Sequence, residues 1–128
     1  MTKELVTRWF NRLALGEQDL PLLLSGGFAY TPRMAYDEVM RGSNLGNQLQ
    51  ALIESGRFGT SISDEQAIAR TRLEQILKSK PDKPLFATLS NKVFTPSQLL
   101  AEIQSETAIG QQWVNTEIAH MKTIVSVR

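Results

Sequence analysis

The stretch FAYTPRMAYDEVMRGSNLGNQL, residues 28–49, is matched without a gap by KVFTPSQLLAEIQSETAIGQQW, residues 92–113. The offset of 64 residues is half the length of this 128-residue chain. Both copies contain a Thr-Pro pair, a later Glu and then Gly-x-Gln at the same spacing. Because a fixed period marks repeated supersecondary units, the sequence predicts two tandem repeats of about 64 residues. Their predicted ranges are residues 1–63 and residues 64–128.

The residues that begin helices recur in the same order in both copies. Thr31 and Thr95 are favourable N-cap residues, and the proline after each of them suits the first helical position because no N–H donor is needed there. Ser43 and Thr107 are predicted to cap the next helix in each copy. Together with the amphipathic segments that precede the Thr-Pro pairs, these signals predict three helices in each repeat.

Segments with turn or strand character separate the predicted helices. Residues 55–63, SGRFGTSIS, form the predicted linker between the repeats. Ser63 is the predicted N-cap of the helix that follows this linker. The β-prone run LFATLSNKVF, which precedes Thr95, predicts a short hairpin around Ser90 and Asn91.

The predicted fold is all-α, a compact bundle of about six helices that forms one domain over residues 1–128. The composition is typical of a folded domain, since 41% of the residues are hydrophobic and 21% are charged. Two repeats are too few for an open solenoid. We therefore expect a pseudo-two-fold arrangement that resembles an internal dimer and includes one short β-hairpin.

The composition also excludes several classes of protein. The chain has no cysteine, which excludes disulfide frameworks and thiolate metal sites. The longest apolar run, residues 20–24, is far too short to cross a bilayer. The N-terminal segment carries charged residues throughout and lacks the apolar core of a signal peptide. We therefore expect a cytoplasmic protein that does not bind membranes.

Patterns with catalytic or ligand-binding chemistry are scarce. The glycines Gly26 and Gly27 predict a turn, because no GxGxxG pattern follows them, and the chain has neither a GxSxG elbow nor a Walker motif. Glu117-x-x-His120 has the spacing of one half of a carboxylate-bridged metal site, but the first repeat has isoleucine and glycine at the matching positions. We therefore predict no catalytic residues, no metal and no cofactor, and we interpret Glu117 and His120 as an ion pair on a helix surface.

The first predicted helix differs from its copy along one face. Val6 and Phe10 in the first repeat correspond to Arg70 and Glu74 in the second. One interpretation is that this extra apolar strip packs under the loop that follows the helix, and the other is that it contacts a second chain. We predict a protein-interaction surface at Val6 and Phe10, occupied by a partner protein or by a second copy of the chain in a homodimer.

The favoured function is a small, soluble, non-enzymatic protein-interaction module: an adaptor, regulator or inhibitor that acts through helical surfaces. An alternative is a nucleic-acid-binding regulator that uses the basic residues Arg70, Arg72, Lys78, Lys80 and Lys83. The net charge of only +1 makes nucleic acid the less favoured partner. A second alternative is a small-ligand-binding or enzymatic domain with a pocket between the repeats, so the sequence leaves open whether the protein is an enzyme.

Overall fold

The computed structural model describes residues 3–84, 86–87 and 93–126 of the chain. These residues form seven helices and two antiparallel hairpins, which confirms the predicted mainly helical fold. The helices are α1 (Lys3–Arg12), α2 (Leu15–Gln18), α3 (Pro32–Arg41), α4 (Asn44–Glu54), α5 (Ile62–Lys78), α6 (Pro96–Gln104) and α7 (Ala108–Val125). The strands are β1 (Leu23–Ser25), β2 (Phe28–Tyr30), β3 (Phe86–Ala87) and β4 (Val93–Phe94). None of the described helices combines the length and the apolar character that crossing a membrane requires.

The helices α3 and α4 begin where the sequence predicts. The hydroxyl of Thr31 accepts a hydrogen bond from the backbone N–H of Met34 at 3.1 Å, which caps α3. Gly42 ends α3 in the left-handed conformation with a φ of 72°. Ser43 then caps α4, since its hydroxyl accepts from the N–H of Gly46 at 2.9 Å.

The helices α6 and α7 begin with the same chemistry. The Thr95 hydroxyl accepts from the N–H of Gln98 at 3.2 Å, and the Gln98 side chain accepts from the N–H of Thr95 at 3.0 Å. This reciprocal pair is a capping box, as the sequence predicts. The Thr107 hydroxyl caps α7 by accepting from the N–H of Gly110 at 3.1 Å.

Two buried glycines allow each of these helix pairs to pack closely. A Cβ atom at Gly46 would lie 2.7 Å from the carbonyl carbon of Glu38 in α3. A Cβ atom at Gly110 would lie 2.6 Å from the carbonyl carbon of Glu102 in α6. Side-chain carbons do not approach backbone atoms so closely, so each helix pair depends on the missing side chain.

Replacing Gly46 or Gly110 with alanine is expected to lower the free energy of unfolding by about 1–3 kcal/mol, because the backbone of the preceding helix must move. Gly16 in α2 provides the matched control, since a Cβ atom there meets nothing within 4 Å. The control change Gly16→Ala should leave stability unchanged or raise it by up to about 1 kcal/mol. Urea unfolding followed by circular dichroism measures the free energy of unfolding of the three variants. A Gly110→Ala variant as stable as the native chain would contradict the close contact.

The first hairpin, β1–β2, was not predicted from the sequence. Its turn residues Gly26 and Gly27 have φ values of 60° and 81°, and positive values at both positions are typical of a two-residue type I′ turn. The outer edge of β1 is also occupied, because the N–H of Leu24 donates to the carbonyl of Phe58 at 2.8 Å. The hairpin is therefore fixed to the segment that precedes α5.

The second hairpin, β3–β4, confirms a predicted element. Phe86 lies opposite Phe94 in the antiparallel register, directly before α6. The turn predicted at Ser90 and Asn91 lies outside the described residues.

The helix α5 begins earlier than predicted. Its N-cap is Ser61, whose hydroxyl accepts from the N–H of Asp64 at 3.0 Å, so the prediction of Ser63 as the cap is wrong. Tertiary packing sets this starting point, because the Phe58 side chain is completely buried and holds the chain in place just before the cap. The hydroxyl of Thr60 then bonds the Asp64 carboxylate at 2.7 Å, which adds a second contact across the first turn.

The buried apolar side chains form one cluster that draws on both predicted repeats. The helix α3 packs against α1 and α4, whereas α5 packs against α6 and α7, and β1 contacts both α4 and α5. The helix α1 also reaches the end of α7, where the Trp9 indole N–H donates to the carbonyl of Ile124 at 2.8 Å. The guanidinium of Arg12 donates to the carbonyl of Ser126 beside it.

Candidate functional site

Val6 and Phe10, the predicted interaction strip, lie inside the folded chain. Val6 is completely buried and Phe10 is 7% exposed. The Phe10 ring stacks on the Tyr36 ring with their centroids 4.7 Å apart, and the Arg33 guanidinium carbon lies 5.5 Å from the Phe10 centroid. The prediction that this strip contacts another chain is therefore corrected, because Val6 belongs to the buried core and Phe10 packs against α3 of the same chain.

The basic residues predicted to contact nucleic acid lie in three different environments. Arg72 is 1% exposed and has no access to a phosphate group, so its assignment to that site is wrong. Arg70 forms an ion pair with Glu106, which follows α6. The remaining three are exposed: Lys78, Lys80 and Lys83.

Arg72 is instead the centre of a buried ion cluster. Its Nε donates to Oε1 of Glu117 in α7 at 2.6 Å, and its Nη2 donates to the carboxylate of Glu17 in α2. Its Nη1 donates to the carbonyl oxygen of Pro21 at 3.5 Å. The planar guanidinium thus places a donor toward each of three separate segments, a geometry that lysine does not provide. The cluster holds α2 and the loop after it against α5 and α7.

His120 extends this cluster to the surface. Its Nε2 lies 3.4 Å from Oε1 of Glu17, and its side chain is 52% exposed. The predicted ion pair between Glu117 and His120 is therefore wrong, because tertiary contacts give each of them another partner: Arg72 for Glu117 and Glu17 for His120. Both carboxylates are bonded to the central guanidinium, and we interpret the cluster as structural.

Asp82 faces the N-terminus of α6. Its carboxylate accepts from the backbone N–H of Ser97 at 3.1 Å and from the Ser97 hydroxyl at 2.9 Å. The backbone hydrogen bond first, and the hydroxyl second, lower the pKa of Asp82 below its ordinary value. The acidic residue that interrupts the basic segment is therefore bound to a helix terminus.

Large apolar side chains are exposed at the two places where a hairpin leads into a helix. Phe28 in β2 is 69% exposed, and Met34 in the first turn of α3 is 46% exposed. We call these two residues the β2–α3 junction. At the second place, Val93 in β4 is 58% exposed. Leu15 and Ile62 are also exposed, and they lie at the starts of α2 and α5.

The surface around Val93 is concave. A shallow, open depression of about 500 Å³ lies between β4 and α6. It is lined by Val93, Phe94, Gln98, Ala101 and Glu102, and we call these five residues the β4–α6 junction. Three of the five are apolar, and Glu102 supplies its formal charge.

Sequence reasoning missed the Arg72 cluster and both junctions. A signal for the cluster was present, because Arg72 falls between Ala69 and Leu73 on the inward face of α5, and all three are buried. A charged residue within an apolar stripe indicates a buried ion pair. A signal for the first hairpin was also present, since a Gly-Gly pair between two apolar runs favours a two-residue turn. No pattern in the sequence indicated which strand residues are exposed.

Among the described residues, no group of three or more His, Asp or Glu side chains is placed to hold a metal ion. No protein-family model, curated protein or solved structure matches the chain. The surfaces described above are therefore the basis for a functional proposal.

Proposed function

We propose that the chain is a small non-enzymatic protein-interaction module whose contact surfaces are the β2–α3 and β4–α6 junctions. The observation that supports this is the exposure of Phe28, Met34 and Val93, which are 69%, 46% and 58% accessible. Aromatic residues and methionine are enriched in the centres of protein interfaces, where a few apolar anchors contribute most of the binding energy.

The β2–α3 junction presents its side chains on a backbone that is bonded on both sides. Phe28 directly follows the Gly26–Gly27 turn, and β1 is bonded on its other edge to Phe58. Met34 lies in the turn of α3 that Thr31 caps. A surface that is ordered before binding loses little conformational entropy when a partner docks, which favours recognition at these positions.

The proposal includes the duplication of residues 1–63 and 64–128 in a pseudo-two-fold arrangement. Support comes from the equivalent caps at Thr31 and Thr95, and from the same helix contact at Gly46 and Gly110. Each half also places a hairpin directly before the Thr-Pro helix. In this arrangement the two junctions overlap at one matching position, Met34 and Gln98, whereas Val93 matches Ala29 and not Phe28.

Nucleic acid stays a second candidate partner for one reason. Lys78, Lys80 and Lys83 are exposed, and the acidic Asp82 between them is bound to Ser97 at the start of α6. If these lysines bind phosphates, the association constant should fall steeply as the salt concentration rises. A plot of its logarithm against the logarithm of the salt concentration should have a slope of about −1 for each phosphate contacted. Binding that does not change with salt would remove this candidate.

The junction variant Phe28→Ser/Met34→Ser/Val93→Ser is expected to lose partner proteins that the native chain captures. The matched control is Leu15→Ser/Ile62→Ser, because those side chains are even more exposed, at 80% and 73%, but lie outside the junctions. Affinity capture from the host lysate with quantitative mass spectrometry measures the loss, which should reach about tenfold if the junctions hold the interface anchors. Light scattering on the same samples tests whether a second copy is the partner.

Both variants should keep the native circular dichroism spectrum, because none of the changed side chains is buried. Equal losses in the junction variant and in the control would mean that general surface hydrophobicity, and not the junctions, causes capture. Full retention by the junction variant would contradict the proposed function.

A further inference from the structure

We propose that the β4–α6 junction binds a partner segment in which an apolar side chain lies next to a lysine or arginine. This inference rests on the proposed interaction function and adds the chemistry of the partner. It depends on two features of the junction: the exposed apolar surface of Val93 and the charge of Glu102.

Glu102 differs from its counterpart Glu38 in its ionic contacts. The Glu38 carboxylate is paired with Arg41 at 2.7 Å and accepts from the Ser43 hydroxyl at 2.6 Å. The part of the chain that the structure describes gives the Glu102 carboxylate neither an ion pair nor a hydrogen bond, although the side chain is half-buried. At the position that corresponds to Arg41, the second half has Ser105, so the neutralising cation is absent from the sequence there.

A half-buried carboxylate that is paired with no cation in the described part of the chain favours a cationic partner. Partial burial removes some of the water that stabilises the charge, so a lysine or arginine brought by a partner gains more than it would at a fully exposed site. Val93, Phe94 and Ala101 line the same cavity and give the partner's apolar side chain a surface to cover. An acidic segment would meet repulsion from Glu102, which gives the junction selectivity as well as affinity.

The probe is a short fluorescein-labelled peptide in which leucine and lysine alternate, with an otherwise identical peptide of leucine and glutamate as the control. Fluorescence anisotropy with the full chain gives the dissociation constant of each peptide. The lysine peptide is expected to bind and the glutamate peptide is not. A higher salt concentration should weaken the binding of the lysine peptide, because the ion pair with Glu102 lies near the surface and is screened.

The deciding variant is Glu102→Gln, which removes the charge and keeps the shape of the side chain. It is expected to raise the dissociation constant of the lysine peptide by about three- to fivefold, the range for a partly exposed ion pair. Glu4→Gln is the matched control, because it removes the same charge from an exposed site on α1 that lines a different cavity. The control should leave the constant unchanged. Amide chemical shifts from NMR should move at Val93 and Ala101 when the peptide is added.

The outcomes separate the partner chemistry from the function on which it rests. If Glu102→Gln binds the lysine peptide as tightly as the native chain does, or no more weakly than Glu4→Gln does, the inferred chemistry is wrong. If Val93→Ser also leaves binding unchanged, the β4–α6 junction is not the docking surface, and that part of the proposed function fails too. Concentration-dependent shifts at Val93 without peptide would assign the junction to a second copy of the chain and overturn the inference.

Discussion

The double variant Val6→Arg/Phe10→Glu is expected to be largely unfolded in buffer at room temperature. Loss of the Phe10 ring from its stack on Tyr36 removes about 3–5 kcal/mol on its own. Two charged side chains would then occupy sites that are 0% and 7% exposed, and removing them from water costs several kcal/mol more, which a buried ion pair does not reliably offset. The sum is comparable with the whole stability of a small domain, roughly 5–15 kcal/mol.

The matched control is the exchange Glu4→Arg/Arg8→Glu on the exposed side of the same helix. It introduces the same two residue types without a change in net charge, and it should alter stability by no more than about 1 kcal/mol. Far-UV circular dichroism and urea unfolding compare the two variants. A cooperative transition at the native midpoint in the Val6→Arg/Phe10→Glu variant would show that α1 does not dock on α3.

The variant Arg72→Ala is expected to lower the free energy of unfolding by about 3–5 kcal/mol, because it leaves two carboxylates facing an uncompensated buried site. The guanidinium is 1% exposed, and the side chains of Glu17 and Glu117 are 23% and 14% exposed. Removal of the cation therefore costs more than the loss of a surface ion pair. Urea unfolding measures the difference in free energy of unfolding between the variant and the native chain, provided that both have the same m-value.

Arg70→Ala is the control for this change, since Arg70 lies on the same helix but its side chain is 34% exposed and pairs with the exposed Glu106. It should cost no more than about 1 kcal/mol. The triple variant Arg72→Met/Glu17→Gln/Glu117→Gln should recover part of the loss, because it removes the buried charges together. If Arg72→Ala and Arg70→Ala cost the same, water reaches the cluster and the carboxylates are not desolvated.

The parts of the fold that the sequence predicts are those set by local chemistry. Thr31, Ser43, Thr95 and Thr107 all cap helices as predicted, because a cap requires only a hydroxyl and the N–H groups of the next turn. The cap of α5 was misplaced by two residues, because Phe58 fixes the preceding chain through contacts that are distant in sequence. The β1–β2 hairpin was missed because each of its strands has only three residues and lacks a clear alternation.

The candidate site was less predictable because it depends on which side of each element is covered. Val6 and Phe10 look like an unpartnered strip in the sequence, but Val6 lies in the buried core and Phe10 stacks on Tyr36 of α3. Arg72 looks like a surface cation until its partners Glu17 and Glu117 are known, and these lie 55 and 45 residues away in the chain. Glu102 and Glu38 occupy matching positions at the 64-residue offset, but Glu38 pairs with Arg41 and accepts from Ser43, and no described residue makes such a contact with the Glu102 carboxylate. In the first two cases the contacts join segments far apart in the chain, which periodicity does not report. Glu38 and Arg41 are only three residues apart, so that difference between the halves was readable from the sequence.

The bond between the Trp9 indole and the carbonyl of Ile124 has a consequence for how the protein is made. The two residues are 115 positions apart, so α1 emerges from the ribosome long before the last turn of α7 exists. During that interval the apolar face of α1 has α3 as a cover, but its anchor at α7 has not been synthesised. The domain is therefore expected to close only after synthesis of α7, and nascent chains that stall earlier carry an exposed indole that suits recognition by chaperones.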